Sequence, residues 1–209
     1  AEYDQVGSIQ RNDFYAKRRA LLMGADTELR NTMLGFCTAT GEEILNGYIG
    51  RSGQADDCSG LSTKLKQFFP NIKAVEPADL EKFSGSKKKA DILAHIKKGI
   101  EQALTEKEQE IRSVSSNPAA EIERFIILSQ YDNLWKQHIK NMQFLQDAAG
   151  YQAMGEGDPL DIYKTRGLEL YNEVLNSVRR NAVFSLFQYQ PTKTADKAVA
   201  SGNKKGDKK

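Results

Sequence analysis

The sequence predicts an all-α protein, and three observations carry that prediction. No segment alternates apolar and polar residues over a useful strand length. Apolar residues recur instead at helical spacing through most of the chain. In the last third, Leu128, Tyr131, Trp135, His138, Met142 and Leu145 follow one another at steps of 3, 4, 3, 4 and 3, the period of two helices packed along a seam.

Taken in order, Tyr3 to Met23 reads as a helix with Tyr3, Val6, Ile9, Gln10, Phe14, Ala16, Leu21 and Leu22 on one side. Arg11, Lys17, Arg18 and Arg19 face water. Gly24 stands where a helix stop belongs, and Asp26 or Thr27 can cap the next helix. That second helix carries Leu29, Met33, Phe36, Ile44, Leu45 and Ile49, with an expected break near Thr38–Gly41. Gly50–Gly60 is a loop by composition. A short amphipathic helix, Leu61–Phe69, stops at Pro70, and Glu76-Pro77-Ala78-Asp79 opens another. Ser84–Lys89 is a basic connector. Ala90–Arg112 is a long charged helix striped by Ile92, Leu93, Ile96, Ile100, Leu104 and Ile111. Its Glu106–Glu110 pair is like-charged, so it rests on tertiary packing rather than on its own ion pairs. The seam helix begins after Pro118. It is followed by the linker Gly150–Gly157, an Asp158 cap with Pro159 at the first helical position, and a final helix from Leu160 to about Tyr189. Tyr163, Leu170, Val174, Val178, Ala182 and Leu186 face inward there, which makes an antiparallel hairpin about 45 Å long. Thr192–Lys209 reads as a disordered lysine-rich tail.

Composition narrows the functional classes. The chain has 209 residues, 39% hydrophobic and 28% charged, which suits one or two small domains with a real core. Its net charge of +2 is too near neutral to indicate a nucleic-acid partner. No apolar run approaches a membrane span, and no secretory signal opens the sequence. Cys37 and Cys58 lie 21 residues apart with no CxxC and no nearby histidine, so no metal or other cofactor is expected. Two reduced thiols in a soluble, reducing compartment fit this spacing, and whether they pair depends on geometry. A phosphate loop, GxGxxG, GxSxG and HExxH are all absent, so no nucleotide hydrolysis and no other enzyme activity is expected.

Several motifs carry a family resemblance. Leu134-Trp135-Lys136-Gln137-His138-Ile139 is similar to the LWKEHL stretch of SecA, the ATPase of preprotein translocation. Glu123-Arg124-Phe125-Ile126-Ile127-Leu128-Ser129 resembles the plastid and cyanobacterial form in particular. Asp158-Pro159-Leu160-Asp161-Ile162-Tyr163-Lys164 resembles the family's DPLIEYK, and Arg179–Ser185 with Gln188–Pro191 resembles the end of its second finger helix. Glu2–Val6, Gln10-Arg11 and Tyr15–Leu22 resemble its long scaffold helix. The resemblance implies a scaffold of residues 1–25, a helical wing over 26–117, a two-helix finger over 118–191 and a tail over 192–209. It also implies that the two nucleotide-binding folds and the preprotein cross-linking domain are missing.

At the fingertip the family's GLRGYAQRDP aligns without gaps to Gly150–Pro159. The family's tyrosine falls on Met154 and its arginines on Gln152 and Gly157, while Glu156 adds an acid. Gly150, Tyr151, Met154 and Glu156 are therefore the candidate partner contacts, either as a plain flexible loop or as a contact point at the end of a rigid arm. Trp135, His138 and Tyr163 are the structural seam. A buried tryptophan beside a satisfied histidine is the favoured reading there, and Asp132 stands too far along the helix to form a proton-transfer pair with His138. Lys204, Lys205, Lys208 and Lys209 form a solvated terminus that could also rest against an anionic membrane surface.

The resemblance thus implies a non-catalytic scaffold-and-wing protein acting through protein contacts. It would be accessory to, or a fragment of, plastid protein translocation, in the stroma or on the stromal face of the thylakoid. Its partners would be the channel, the motor or a thylakoid membrane complex. The alternative is a structural linker subunit of a photosynthetic membrane complex.

Overall fold

A computed structural model of the chain describes residues 2–83, 89–152 and 157–192. Among these residues it has seven α-helices and no strand: α1 (Glu2–Met23), α2 (Asp26–Asn46), α3 (Cys58–Phe68), α4 (Pro77–Glu81), α5 (Lys89–Val114), α6 (Ala119–Gln152) and α7 (Pro159–Gln188). An isolated bridge between Ile49 and Ala55 is the one extended pairing among them. The basic connector and the lysine tail lie outside the described residues, apart from Lys89 and Thr192 at their edges.

The residues form two compact units. One is α1 with residues 126–181, and the other is residues 26–125 with the end of α7 from Ala182 onward.

In the first unit three helices share a core, and their contacts fix the directions. Gln130 meets Asn181, and Met142 meets Gly167 more than three turns further along α6, so α6 and α7 run antiparallel. Tyr3 meets Tyr163 and Asp13 meets Tyr171, so α1 runs parallel to α7 and antiparallel to α6. The face α1 buries is narrower than its apolar content suggests. Gln10, Phe14 and Leu21 are buried, whereas Ile9, Ala16 and Leu22 are exposed. The aromatic side chains of α6 and α7 select the strip at positions 10, 14 and 21, and Ile9 and Ala16 sit about 100° away from it.

The second unit is centred on α2 against α5. The expected break in α2 does not occur, and the helix is continuous to Asn46. Thr38 and Thr40 lie within the unbroken helix and donate their hydroxyls back to the carbonyls of Leu34 and Phe36, at 3.0 and 2.8 Å, which keeps both hydroxyls satisfied. Gly41 is a contact rather than a stop. A Cβ there would lie 2.2 Å from Cδ1 of the fully buried Ile100, so glycine lets α5 approach closely. Gly41→Val should therefore cost about 1–3 kcal/mol by overpacking. Adding Ile100→Ala should recover part of that loss in a denaturation double-mutant cycle.

Around this pair pack Leu61 and Leu65 of α3, then Phe69, Ile72, Val75 and Leu80. Phe187 closes edge-on over Phe69 at 5.0 Å. α3 starts one turn earlier than its apolar pattern, because Asp57 caps it by accepting from Gly60 N at 2.8 Å. α4 carries the reciprocal cap of Glu76 and Asp79. The like-charged pair on α5 is resolved by separate partners, Lys73 for Glu106 and Lys107 for Glu110. Cys37 is buried and Cys58 half-buried, and both are free thiols.

Candidate functional site

The seam residues come together in the first unit. Trp135 stacks on Phe14 with ring centroids 4.4 Å apart and planes 22° apart, and Tyr131 packs on the other part of the same ring at 4.7 Å. His138 lies between Trp135 and Tyr171, at 5.4 and 5.8 Å. Tyr163 joins Met142 and Ala149 in a cluster that Tyr3, Val6 and Leu145 cover.

Gln10 supplies what the apolar pattern does not show. Its Nε2 donates to the Gly167 carbonyl at 3.0 Å, and its Oε1 faces His138 Nε2 at 2.7 Å. Gly167 O can only accept, so the amide is oriented with its nitrogen towards α7. His138 must then carry its proton on Nε2 and donate it to Gln10. His138 Nδ1 is buried with no hydrogen-bond partner among the described residues. Burial lowers the pKa of this imidazole, which favours the neutral ring. One amide thus ties three helices through a chain of two buried hydrogen bonds.

A second polar layer flanks the first. Asp13 accepts from Tyr171 Oη and pairs with Lys17, and these bonds lower its pKa. Burial and the same bond push the Tyr171 hydroxyl up. Asp132 is held by Arg18, at 2.8 Å from Nε and 3.2 Å from Nη2. It is thereby committed away from His138, in keeping with the spacing argument against a proton-transfer pair. A cavity of about 120 Å³ lies beside the relay, lined by Gln10, Trp135, His138, Met142 and Tyr163 among others. Among the described residues no group of three or more histidine, cysteine or acidic side chains is arranged to hold a metal.

At the far end of the hairpin the linker is shorter than its glycine content suggests. α6 continues through Gly150 and Tyr151 to Gln152, since one glycine costs a helix only about 1 kcal/mol and the run before it, Asp147-Ala148-Ala149, favours helix. Tyr151 is therefore a helical residue, and it is 78% exposed. Met154 and Glu156 lie outside the described residues, as do Lys204, Lys205, Lys208 and Lys209. α7 restarts where Asp158 Oδ1 accepts from Leu160 N at 2.9 Å.

Phe144, which the seam pattern passed over, is 73% exposed and stands two turns before Tyr151, so the two aromatics share one outer face of α6. The signal that could have found it is the seven-residue step from Phe144 to Tyr151, off the seam register. Beside the start of α7 a shallow depression of about 600 Å³ is lined by Asp158, Asp161, Ile162, Thr165, Arg166 and Glu169, with Gly157 at its edge. Arg166 is paired with Glu169 at 2.8 Å, which leaves the two aspartates as the dominant charge.

Comparison with known proteins gives this geometry its family. The SecA Wing and Scaffold domain matches residues 1–190. The Protein translocase subunit SecA of Rippkaea orientalis is 36% identical over 192 residues, 91% of this chain and 20% of that protein. The subunits of the same name from Gloeothece citriformis and Microcystis aeruginosa are 35% and 34% identical, covering 91% and 96% of this chain. The chain spans about a fifth of the length of these relatives. The match over residues 1–190 and the all-helical fold of the described residues agree, and the chain belongs to the SecA wing and scaffold family.

Proposed function

We propose that this chain acts without catalysis of its own, as a scaffold-and-wing element of a protein-translocation machinery, through protein–protein contacts made by the α6–α7 hairpin. The observation that carries this reading is the first unit's construction. A hairpin tied to α1 through buried hydrogen bonds presents Phe144 and Tyr151 on an outer face near its turn. Such a body can transmit position, and its His138 and Asp132 are each committed to structural partners, Gln10 and Arg18. The match of the chain to the wing and scaffold part of SecA, rather than to the ATPase motor, supports the same view.

In this reading residues 1–25 contribute scaffold, 26–117 a wing and 118–191 the finger. Gly150, Tyr151, Met154 and Glu156 are the contact end, and the tail lysines rest against an anionic membrane surface. Among the described residues no helix is long and apolar enough to cross a membrane. The cyanobacterial relatives support a place in the plastid lineage, at the stroma or the stromal face of the thylakoid.

A second reading is favoured by one observation. The family's fingertip tyrosine and arginines fall on Met154, Gln152 and Gly157, so the tip has lost its cationic character while the helices on either side keep the family pattern. That suits a linker subunit of a thylakoid complex. A photo-crosslinking residue at position 151, with mass spectrometry of native complexes, separates the two. Crosslinks to a translocation channel or a moving preprotein support the first. Stoichiometric capture of one photosynthetic complex, unaffected by ATP, supports the second. Crosslinks to neither would overturn both.

A further inference from the structure

In the second unit two carboxyl groups are buried against each other. Glu108 of α5 and Glu123 of α6 are 3% and 1% exposed, and they line one cavity, where the charge of Glu108 acts on the Glu123 carboxyl. Two buried carboxylates that share a cavity repel each other, which favours a proton staying on one of them. Glu108 is the member with a cation in contact: its Oε2 accepts from Arg30 Nε at 3.1 Å, and Arg30 Nη2 is fixed by Thr105 Oγ1 at 3.2 Å. Among the described residues Glu123 makes no ion pair, and its Oε1 is buried without a hydrogen-bond partner.

Both groups line a cavity of about 250 Å³, with Asp26, Thr27 and Arg30 of α2, Arg112 of α5 and Pro118–Ala120. Arg112 stands at its edge, mostly exposed, with Nη2 4.0 Å from Glu108 Oε2. The charged and titratable groups that act on Glu123 or share its cavity are Arg30, Asp26 and the buried thiol of Cys37 on α2, and Glu108 and Arg112 on α5. Asp26 and Arg124 are paired with each other at 3.4 Å. The cluster therefore contains its own counter-cation for a second carboxylate, in the form of Arg112.

We propose that Glu108 and Glu123 form a one-proton switch. With the proton in place the two carboxyl groups hold α5 to the start of α6. When it leaves to water, the Glu123 carboxylate draws the Arg112 guanidinium into the cavity and shifts the α5–α6 connector, Ser115–Pro118. The switch goes beyond the proposed scaffold role and does not depend on it.

Burial first, then the Glu108 charge, push the Glu123 carboxyl up to about 8. A folded-state value above the unfolded one means that the folded protein holds more protons between the two. Stability is then full below about pH 4.5 and is lost as pH rises towards about 8.

The test is thermal unfolding of the intact chain from about pH 5 to about pH 8, beside Glu123→Gln, which keeps the shape and donor of the protonated group. The difference between the two proteins cancels the titration of other groups, including Cys37, whose thiol burial pushes up. The wild-type melting temperature is expected to fall by several degrees relative to Glu123→Gln across this range. Arg112→Gln should steepen the wild-type loss at the alkaline end. A parallel pair of curves would overturn the switch. Infrared difference spectra of the wild type between about pH 6 and about pH 9 give an answer that does not need the variant. A protonated-carboxyl carbonyl band lost at the higher pH is expected, and its absence at the lower pH would equally overturn the proposal.

Discussion

Trp135→Ala should destabilise the first unit by about 3–5 kcal/mol, the range for truncating a large buried aromatic. Three rings meet Trp135: buried Phe14 stacks on it, exposed Tyr15 meets its edge at 6.0 Å, and buried His138 tilts against it at 5.4 Å. Phe14 is itself almost fully buried, so the cavity cannot collapse without moving α1. Chemical denaturation followed by far-ultraviolet circular dichroism measures the loss. A midpoint unchanged from wild type would mean that the helices are not held by this ring. Trp135→Phe should lose less, since it keeps the stack and gives up only the larger ring's outer edge.

Gln10→Ala should be nearly as costly for a different reason. It leaves the His138 Nε2–H and the Gly167 carbonyl without the partners they have in the folded state. Each stranded buried group costs about 1–3 kcal/mol, which gives a loss of about 2–6 kcal/mol for the two. The arrangement also predicts strong coupling. In a Gln10→Ala/His138→Phe double mutant the donor is removed along with its acceptor, so the combined loss should be smaller than the sum of the single losses. Additive losses in that cycle would show that the relay is not continuous. Gln10→Glu should also fail to substitute, because a carboxylate has no proton to donate to Gly167 O.

These two residues show what the sequence makes legible. Trp135 sits in a seam of regular spacing, and the seam is a local property: the helical period fixes which residues share a face before any partner is known. The helix starts at Glu76 and Asp158 are legible for the same reason, since each acts within one turn of itself, whereas Asp57 sits in a stretch that reads as loop and caps α3 ahead of its apolar pattern. Gln10 reads as one polar residue in an otherwise apolar strip. Its role depends on a histidine 128 residues away and a carbonyl 157 residues away, and neither leaves a mark on the sequence near Gln10. Gly41 looked like a helix stop because glycine is a weak helix former. Ile100 decides otherwise, through packing that propensity does not contain. Ile9 and Leu22 looked inward because they are apolar, and the narrow strip offered by α6 and α7 leaves them outside. At the candidate contact end, Tyr151 was legible as a residue of interest from the family pattern, and its helical setting was not.

The first unit's discontinuity bears on how the chain is made. α1 leaves the ribosome with Phe14 and Gln10 unpartnered, and the helix that covers them follows about 110 residues later. At about 5–20 residues per second, α1 waits on the order of six to twenty seconds for α6, and longer for α7. Closing so long a loop adds only a few kcal/mol of entropy, but the delay leaves an apolar helix face in water throughout. The second unit can lay down α2 to α5 during that interval and bring the two ends of the future scaffold nearer. A nascent chain stalled before Ile126 should accordingly be a chaperone client, and one released after Asn181 should not.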